Sequence, residues 1–525
     1  MGRAPRRAVA VVLAGLAVLA AGCTVGPSQR PPVAVRGESM PAPPPAAAQP
    51  PSPPPTLPPP SARRPTIPFY ECTDDVLATL PAPLPAGRTL QIDCGEIAVP
   101  ADHEQPGRGR VSLNVVSVGV PGAPRDRPAL VVLGDTAGES SALAAVEMAG
   151  QVDPALLDHY VLVGLDRRGA GADLLDCAPL DARSSIMDAD LDGGGDAELN
   201  WLLEEARDVV QECTITLDGG LGNFRTSAST ADIETLRRGL GVDRLSAVGV
   251  GDGAAALAGW ARLFPQAVGR MVLDGPPHPT LDEPQLSESR AGAAETAFNA
   301  FAVACTAQPE CPLGPDPRAA VTGILSRLNL RPQAAVDGRR LTAGRAVVAL
   351  LAGLGQPAGW PALAGALAAV DRGQPDSLLD LLEPVAGSGG RFDAMLATSC
   401  NDTRRRLAPN EVADLHGRWH SSYPIFGGTM ALHLLACAPW PTGGPPPPSG
   451  PADGAPPILV IGAAGDPRNP ADGARSTADS LVSGRFLNWQ GAGTGAYPHT
   501  ACVRSVVDLD LINGVIPQPE VLCPP

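Results

Sequence analysis

Lysine is absent from all 525 residues, so each of the 39 basic side chains is an arginine. That excludes the Schiff-base lysine, the Ser-Lys dyad and the P-loop lysine together. Aromatic residues are scarce at 3%, so the core of this 44% hydrophobic chain has to be built mainly from Ala, Val and Leu. Positive charge is in deficit: 55 acidic residues outweigh the arginines, for a formal net charge of −16. Such a chain repels phosphate backbones, which argues against nucleic acid as a partner. C-x-x-C pairs and internal repeats are missing, and after residue 21 no apolar run is long enough for a transmembrane helix.

What is present at the N-terminus reads as an export signal. A basic start with Arg3, Arg6 and Arg7 precedes an apolar run from Ala8 to Ala21, too short to span a bilayer. Leu19-Ala20-Ala21-Gly22-Cys23 then resembles a bacterial lipobox, predicting a signal peptide over 1–22 and lipidation of Cys23. Residues 24–66 hold 16 prolines in 43 positions, a composition that favours extended polyproline II over a core. At about 3.1 Å per residue this 23–66 linker could reach on the order of 130 Å. The expectation is a lipid-anchored protein on the extracytoplasmic face of a cell membrane.

Setting Cys23 aside leaves ten cysteines, an even number that in an exported chain argues for disulfides rather than metal or redox chemistry. The spacing does not fix their pairing. Consecutive pairs (Cys72–Cys94, Cys177–Cys213, Cys305–Cys311, Cys400–Cys437, Cys502–Cys523) would close five local loops, and this is the expected set.

Short apolar runs bounded by turn residues predict strands at 90–99, 111–120, 129–133, 160–165, 245–250 and 268–273, with helices at 229–240 and 254–263 between them. This alternation predicts an α/β fold with a mostly parallel sheet and helices on both faces. From 279 to 440 the pattern becomes Ala- and Leu-rich and helical, as in 343–354 and 360–370, and reads as an inserted cap. Core segments are therefore expected at 67–278 and 441–525, the second with strands at 458–461 and 486–489 and a helix near 503–512.

The run Gly249-Val250-Gly251-Asp252-Gly253 joins a predicted strand to a predicted helix. Small-x-x-x-small at such a joint is the setting of a nucleophile elbow, whose middle residue should be Ser, Cys or Asp. Here it is Gly251. Glycine at that position relieves a strained backbone that a side chain would have to endure.

Several blocks together give a resemblance. They are Ala98-Val99-Pro100-Ala101-Asp102-His103, Asp166-Arg167-Arg168-Gly169-Ala170-Gly171 and Leu263-Phe264-Pro265 running on to Asp274-Gly275. Further blocks are Cys400-Asn401-Asp402, Tyr423-Pro424-Ile425-Phe426-Gly427, Gly465-Asp466-Pro467 and Gly491-Ala492-Gly493. From Cys72 to Cys523 the chain resembles the secreted bacterial tripeptidyl aminopeptidases and their proline-iminopeptidase relatives, serine peptidases of the α/β-hydrolase superfamily. The resemblance implies an α/β-hydrolase fold with a helical cap, and locally paired cysteines. Carried over position by position, it places the family's serine on Gly251, its acid on Asp466 and its histidine on Thr494. Only the acid is retained. The oxyanion loop is altered as well, to Gly134-Asp135-Thr136-Ala137-Gly138-Glu139, and acidic side chains there oppose the charge such a loop should stabilise.

Substitutes for the lost groups are Asp252 as a displaced nucleophile and His499 as a shifted base, each with a plainer role at or near a helix terminus. In the relatives acidic cap residues can hold a substrate's amine, and Asp402 is the candidate here, with helix capping as its plainer role. His416 and His420 stand at i, i+4 but lack the glutamate of H-E-x-x-H; the remaining histidines, His103, His159, His278 and His433, have no ligand-like spacing. No metal or cofactor is implied. The expected function is a catalytically silent descendant of a peptidase that binds a peptide or small apolar molecule between cap and sheet. The competing expectation is a hydrolase working through Asp252 or His499 with Asp466.

Overall fold

The structure, a computed structural model, describes residues 56–80, 82–124, 126–137, 140–171, 174–189, 195–387, 390–441 and 446–525. The signal peptide, Cys23 and most of the proline tract lie outside the described residues, as do Gly138 and Glu139. The apolar runs form β2 (Gln91–Pro100), β3 (Arg110–Gly119), β4 (Ala129–Leu133), β5 (Val161–Leu165), β6 (Leu245–Val250) and β7 (Val268–Asp274). Nearer the C-terminus come β10 (Ile458–Gly465) and β11 (Gly484–Ala492), while β1 (Tyr70–Glu71) and β12 (Glu520–Cys523) add short edges. They build one sheet in the order β1-β2-β3-β5-β4-β6-β7-β10-β11-β12. Pairing is antiparallel from β1 to β5 and parallel from β5 onward.

Alternation within the strands explains why both faces are covered. Val131 and Leu133 of β4 enter one apolar core with Leu236 and Leu257, from the helices Thr226–Leu240 and Asp252–Leu263. Leu130 and Val132 point the other way, into a second core with Val146 and Val503 from the helices Ser141–Gln151 and Ala501–Asp508. A strand buried on both sides reads as a continuous apolar run, the reason these were legible.

Between β7 and β10 the described chain is helical apart from the hairpin β8 (Gln333–Ala334) with β9 (Arg340–Leu341). Two apolar clusters hold this region together, one around Phe298, Phe301 and Leu350, the other around Trp419, Phe392 and Trp440. The second contains residues the sequence reading left in the 67–278 core. Leu199, Leu202 and Val209 of the helix Asp196–Thr216 pack there, with Ile186 and Met187 of the helix Leu180–Met187. The cap is therefore assembled from two insertions, one after β5 and one after β7. Amphipathic periodicity shows that a helix has an apolar face but not which neighbour covers it.

The linker, expected to run to residue 66, joins the body before that point. Leu57 and Ile67 are buried, Arg64 N–H donates to Leu240 O at 3.0 Å, and Arg270 Nε donates to Pro58 O at 3.2 Å. Proline cannot donate, but its carbonyl accepts, so an extended proline-rich segment can be fixed by donors from the body. Among the described residues no single helix is long and apolar enough to cross a membrane.

All five consecutive disulfides are present. Cys400–Cys437 ties cap residues 37 apart in sequence. Closing a loop of that length restricts the unfolded chain by roughly 3–4 kcal/mol in the entropic account. Replacing both Cys400 and Cys437 by serine is expected to lower urea stability of the cap by an amount of that order. Urea titration followed by tryptophan fluorescence would measure it, since Trp419 and Trp440 share that cluster.

Candidate functional site

Parallel strands that end at a common edge leave their carboxyl termini facing a crevice, the usual ligand position in such sheets. Here Gly134 and Asp135 follow β4, Gly251 follows β6, Asp466 follows β10, and Thr494 lies just past β11. Above them the cap closes a cleft of about 1050 Å³, reached by Asp135, Val250 and Thr494 from the sheet and by Gly355, Leu363 and Val385 from the cap.

At the elbow the flanking glycines permit close contact. A Cβ on Gly249 would meet Ala254 Cα at 2.8 Å, and one on Gly253 would meet Leu133 O at 2.5 Å. Gly251 itself adopts φ 58° and ψ −127°, a conformation that side-chain-bearing residues rarely adopt. Its N–H donates to Asp274 O at 2.9 Å. The turn thus has the nucleophile-elbow backbone without a nucleophile on it. The space above it is filled from another loop: a Cβ on residue 251 would lie 1.8 Å from Asp135 Oδ2. Asp135 is held by the Ala137 N–H at 2.8 Å and approached by Asn469 Nδ2 at 3.5 Å. Among the described residues no guanidinium is paired with it.

The retained acid is buried. Asp466 Oδ1 accepts from Arg468 N–H at 2.8 Å, Asn469 N–H at 3.1 Å and the Thr494 hydroxyl at 3.1 Å. Desolvation lifts its carboxyl to about 6, against these donors. Thr494 therefore occupies the acid's partner position, and its N–H donates to Gly355 O of the cap at 2.9 Å. Behind them Asp274 accepts from Ala496 N–H at 2.8 Å and Tyr497 N–H at 2.9 Å; burial, with the Asp466 charge beside it, pushes it up to about 7.

The substitute residues are placed otherwise. Asp252 opens its helix with its carboxylate ion-paired to Arg167 Nη1 at 2.5 Å, and it accepts from the Thr136 N–H at 2.9 Å and the Thr136 hydroxyl. His499 is exposed in the turn before Ala501, and the donors on Asp466 Oδ1 do not include it. Asp402 caps the helix Thr226–Leu240 by accepting from Thr226 N–H at 3.0 Å, and desolvation lifts it to about 6. It is not among the residues lining the cleft. His416 and His420 stack ring on ring at 5.9 Å. Among the described residues one group has metal-ligand geometry, Cys177, Cys213 and Asp393, but the two sulfurs are bonded to each other.

The matching blocks also acquire roles. Arg168 grips Asp232 through Nε at 2.7 Å and Nη2 at 2.9 Å, and donates to Pro100 O and Ala101 O. His103 Nε2 lies 2.7 Å from the same Asp232. Sequence spacing gave His103 no partner because that partner is 129 residues away. Asp135 was visible only as an acidic residue in an altered loop, with nothing to show that it reaches the apex.

Strand order, the elbow and the acid after β10 define an α/β hydrolase fold with a cap. Comparison with known proteins narrows this. Residues 423–523 match a family model described as TAP-like protein. The chain is 28% identical over 462 residues to the serine protease Hip1 of Mycobacterium tuberculosis, covering 82% of this chain and 87% of that one. It is 28% identical over 459 residues to carboxylesterase B of the same species, covering 82% and 86%. It is 25% identical over 455 residues to the tripeptidyl aminopeptidase of Streptomyces lividans, covering 83% and 84%. The chain thus has an α/β-hydrolase fold and is similar to the tripeptidyl aminopeptidase along four-fifths of its length.

Two measurements test this geometry. Gly251→Ser is expected to lower the melting temperature by several degrees, and Asp135→Gly in the same chain to recover part of the loss by removing the collision. Additive effects in differential scanning calorimetry would contradict the steric account. The second concerns pH. Because the folded Asp274 carboxyl titrates near 7 and an unfolded one near 3.8, its stabilisation is full below about 4 and lost as pH rises through 7. Between pH 8 and pH 5 wild type should gain on the order of 2–3 kcal/mol that Asp274→Asn does not. His433, buried and pushed down to about 4, works in the opposite direction in both proteins and cancels from the difference.

Proposed function

We propose that this chain is a lipid-anchored, extracytoplasmic protein that binds a peptide or small apolar ligand in the cleft between cap and sheet and does not hydrolyse it. The observation that carries the reading is the apex: glycine at the nucleophile position, with the Asp135 carboxylate in the volume a nucleophile would need. Thr494 at the histidine position removes the base, since a hydroxyl bonded to Asp466 cannot accept a proton at neutral pH. Losing either the serine or the histidine of such a triad costs about a million-fold in turnover. From a median enzyme near ~10 per second, the remainder is about 10⁻⁵ per second. Asp135 further opposes acyl transfer, because it sets negative charge where an oxyanion would develop. Anchoring is supported by the basic start, the apolar run and Cys23 of the sequence, and export by the five disulfides.

A hydrolase working through Asp252 or His499 gains no support from the geometry, since Asp252 is committed to Arg167 and Thr136 and His499 is exposed in another turn. The test is turnover of aminoacyl and tripeptidyl chromogenic substrates. Wild type and the pair Gly251→Ser with Thr494→His are expected to stay at background, the pair because Asp135 still blocks the serine. Adding Asp135→Gly should bring turnover above background. Wild-type hydrolysis that co-purifies with the protein and is lost in Asp252→Asn would refute the silent-site reading.

A further inference from the structure

At the opposite edge of the sheet, where β6, β10 and β11 begin, lies a second pocket of about 610 Å³. Arg244 and Arg485 line it, with the hydroxyl-bearing Thr56 and Ser483 and the apolar surfaces of Pro457 and Val482. No carboxylate is among its lining residues, although acidic side chains outnumber arginines in the chain as a whole.

The two guanidinium groups are underused. Arg244 Nη1 donates to Val268 O at 3.0 Å, which leaves the rest of its fork unspent. The Arg485 side chain makes no hydrogen bond or ion pair with any described residue, and its Nε is buried without an acceptor. A buried donor left unmade is costly, and like charges lining one pocket repel, so the fold gains nothing by keeping them there unoccupied. Guanidinium forks match the oxygens of a phosphate, each oxygen accepting from more than one N–H. The Ser483 hydroxyl is spent on Pro456 O at 2.9 Å, while the Thr56 hydroxyl has no described partner and adds a third donor. The pocket is larger than inorganic phosphate requires, and its proline and valine surfaces suit an apolar substituent.

We propose that this pocket binds a phosphate-type oxyanion, held between Arg244 and Arg485. The same chemistry is offered by a free phosphate and by an anionic phospholipid headgroup. The full chain in detergent would be titrated calorimetrically with inorganic phosphate, with dihexanoyl phosphatidic acid, and with dihexanoyl phosphatidylcholine as control. Saturable binding of phosphate is expected, weakened at least tenfold by Arg485→Gln and less by Arg485→Lys. Because the Arg485 guanidinium bonds to nothing described in the fold, Arg485→Gln should leave the melting temperature in phosphate-free buffer unchanged, so lost binding is not lost folding. Tighter binding of the phosphatidic acid than of phosphate would identify a headgroup; equal binding would identify free phosphate. Absence of saturable phosphate binding by wild type, or full affinity in Arg485→Gln, overturns the proposal.

Discussion

Two groups cannot occupy the volume above the elbow, and most of the site follows from that exclusion. With glycine at 251 the Asp135 carboxylate can lie over the turn; with any side chain there, Asp135 would have to leave. Its own anchors, the Ala137 N–H and the Asn469 amide, would be broken in the process. The backbone at φ 58° adds to the penalty, since glycine alone reaches it without strain. Gly251 and Asp135 are therefore one structural unit contributed by two loops. Glycine at the apex is thus built into the packing on both sides of the turn.

The bonds made by Asp466 give it a structural role. One oxygen gathers the Arg468 and Asn469 amides and the Thr494 hydroxyl, so the carboxylate shapes the turn after β10 and ties it to the loop after β11. Asp274 does the same for Ala496 and Tyr497, and Asp402 for the start of the helix at Thr226. Carboxylates that accept backbone N–H groups are expensive to remove even when no proton has to be moved, because the donors would be left buried and unmade. Asp466 is therefore held in place for reasons of folding alone.

The parts of this protein legible in its sequence are those set by local periodicity or by covalent arithmetic. Strands such as Val161–Leu165 announce themselves as doubly buried apolar runs, the elbow by Gly249, Gly251 and Gly253, and the cysteines by their even number and local spacing. What was hidden depends on where one segment lands on another. The helix Asp196–Thr216 has an apolar stripe that suits a core helix as well as a cap helix, and only tertiary contact with Trp419 and Phe392 decides between them. Residues 57–66 read as linker because proline argues against regular structure, yet Pro58 O accepts from Arg270 and the N–H groups of Arg63, Arg64 and Thr66 donate to carbonyls of the body. Asp135 reads as an unfavourable charge in a loop; that it lies over Gly251 is a matter of loop geometry.

The absence of lysine shapes how this body is held together. Arginine binds several acceptors at once through a planar fork, and here it does so repeatedly to backbone carbonyls. Arg406 donates to the carbonyls of Cys400, Thr403, Trp440 and Pro441, and Arg270 to those of Pro58 and Leu511. Such bonds fasten irregular segments, the cap's end and the incoming proline tract, that no strand or helix could secure. Arg485 departs from that usage, having neither carboxylate nor carbonyl to grip among the described residues. Its pocket and the cleft stand at opposite edges of the same parallel sheet, one at the amino ends of β6, β10 and β11 and the other at the carboxyl ends of β4 and β6.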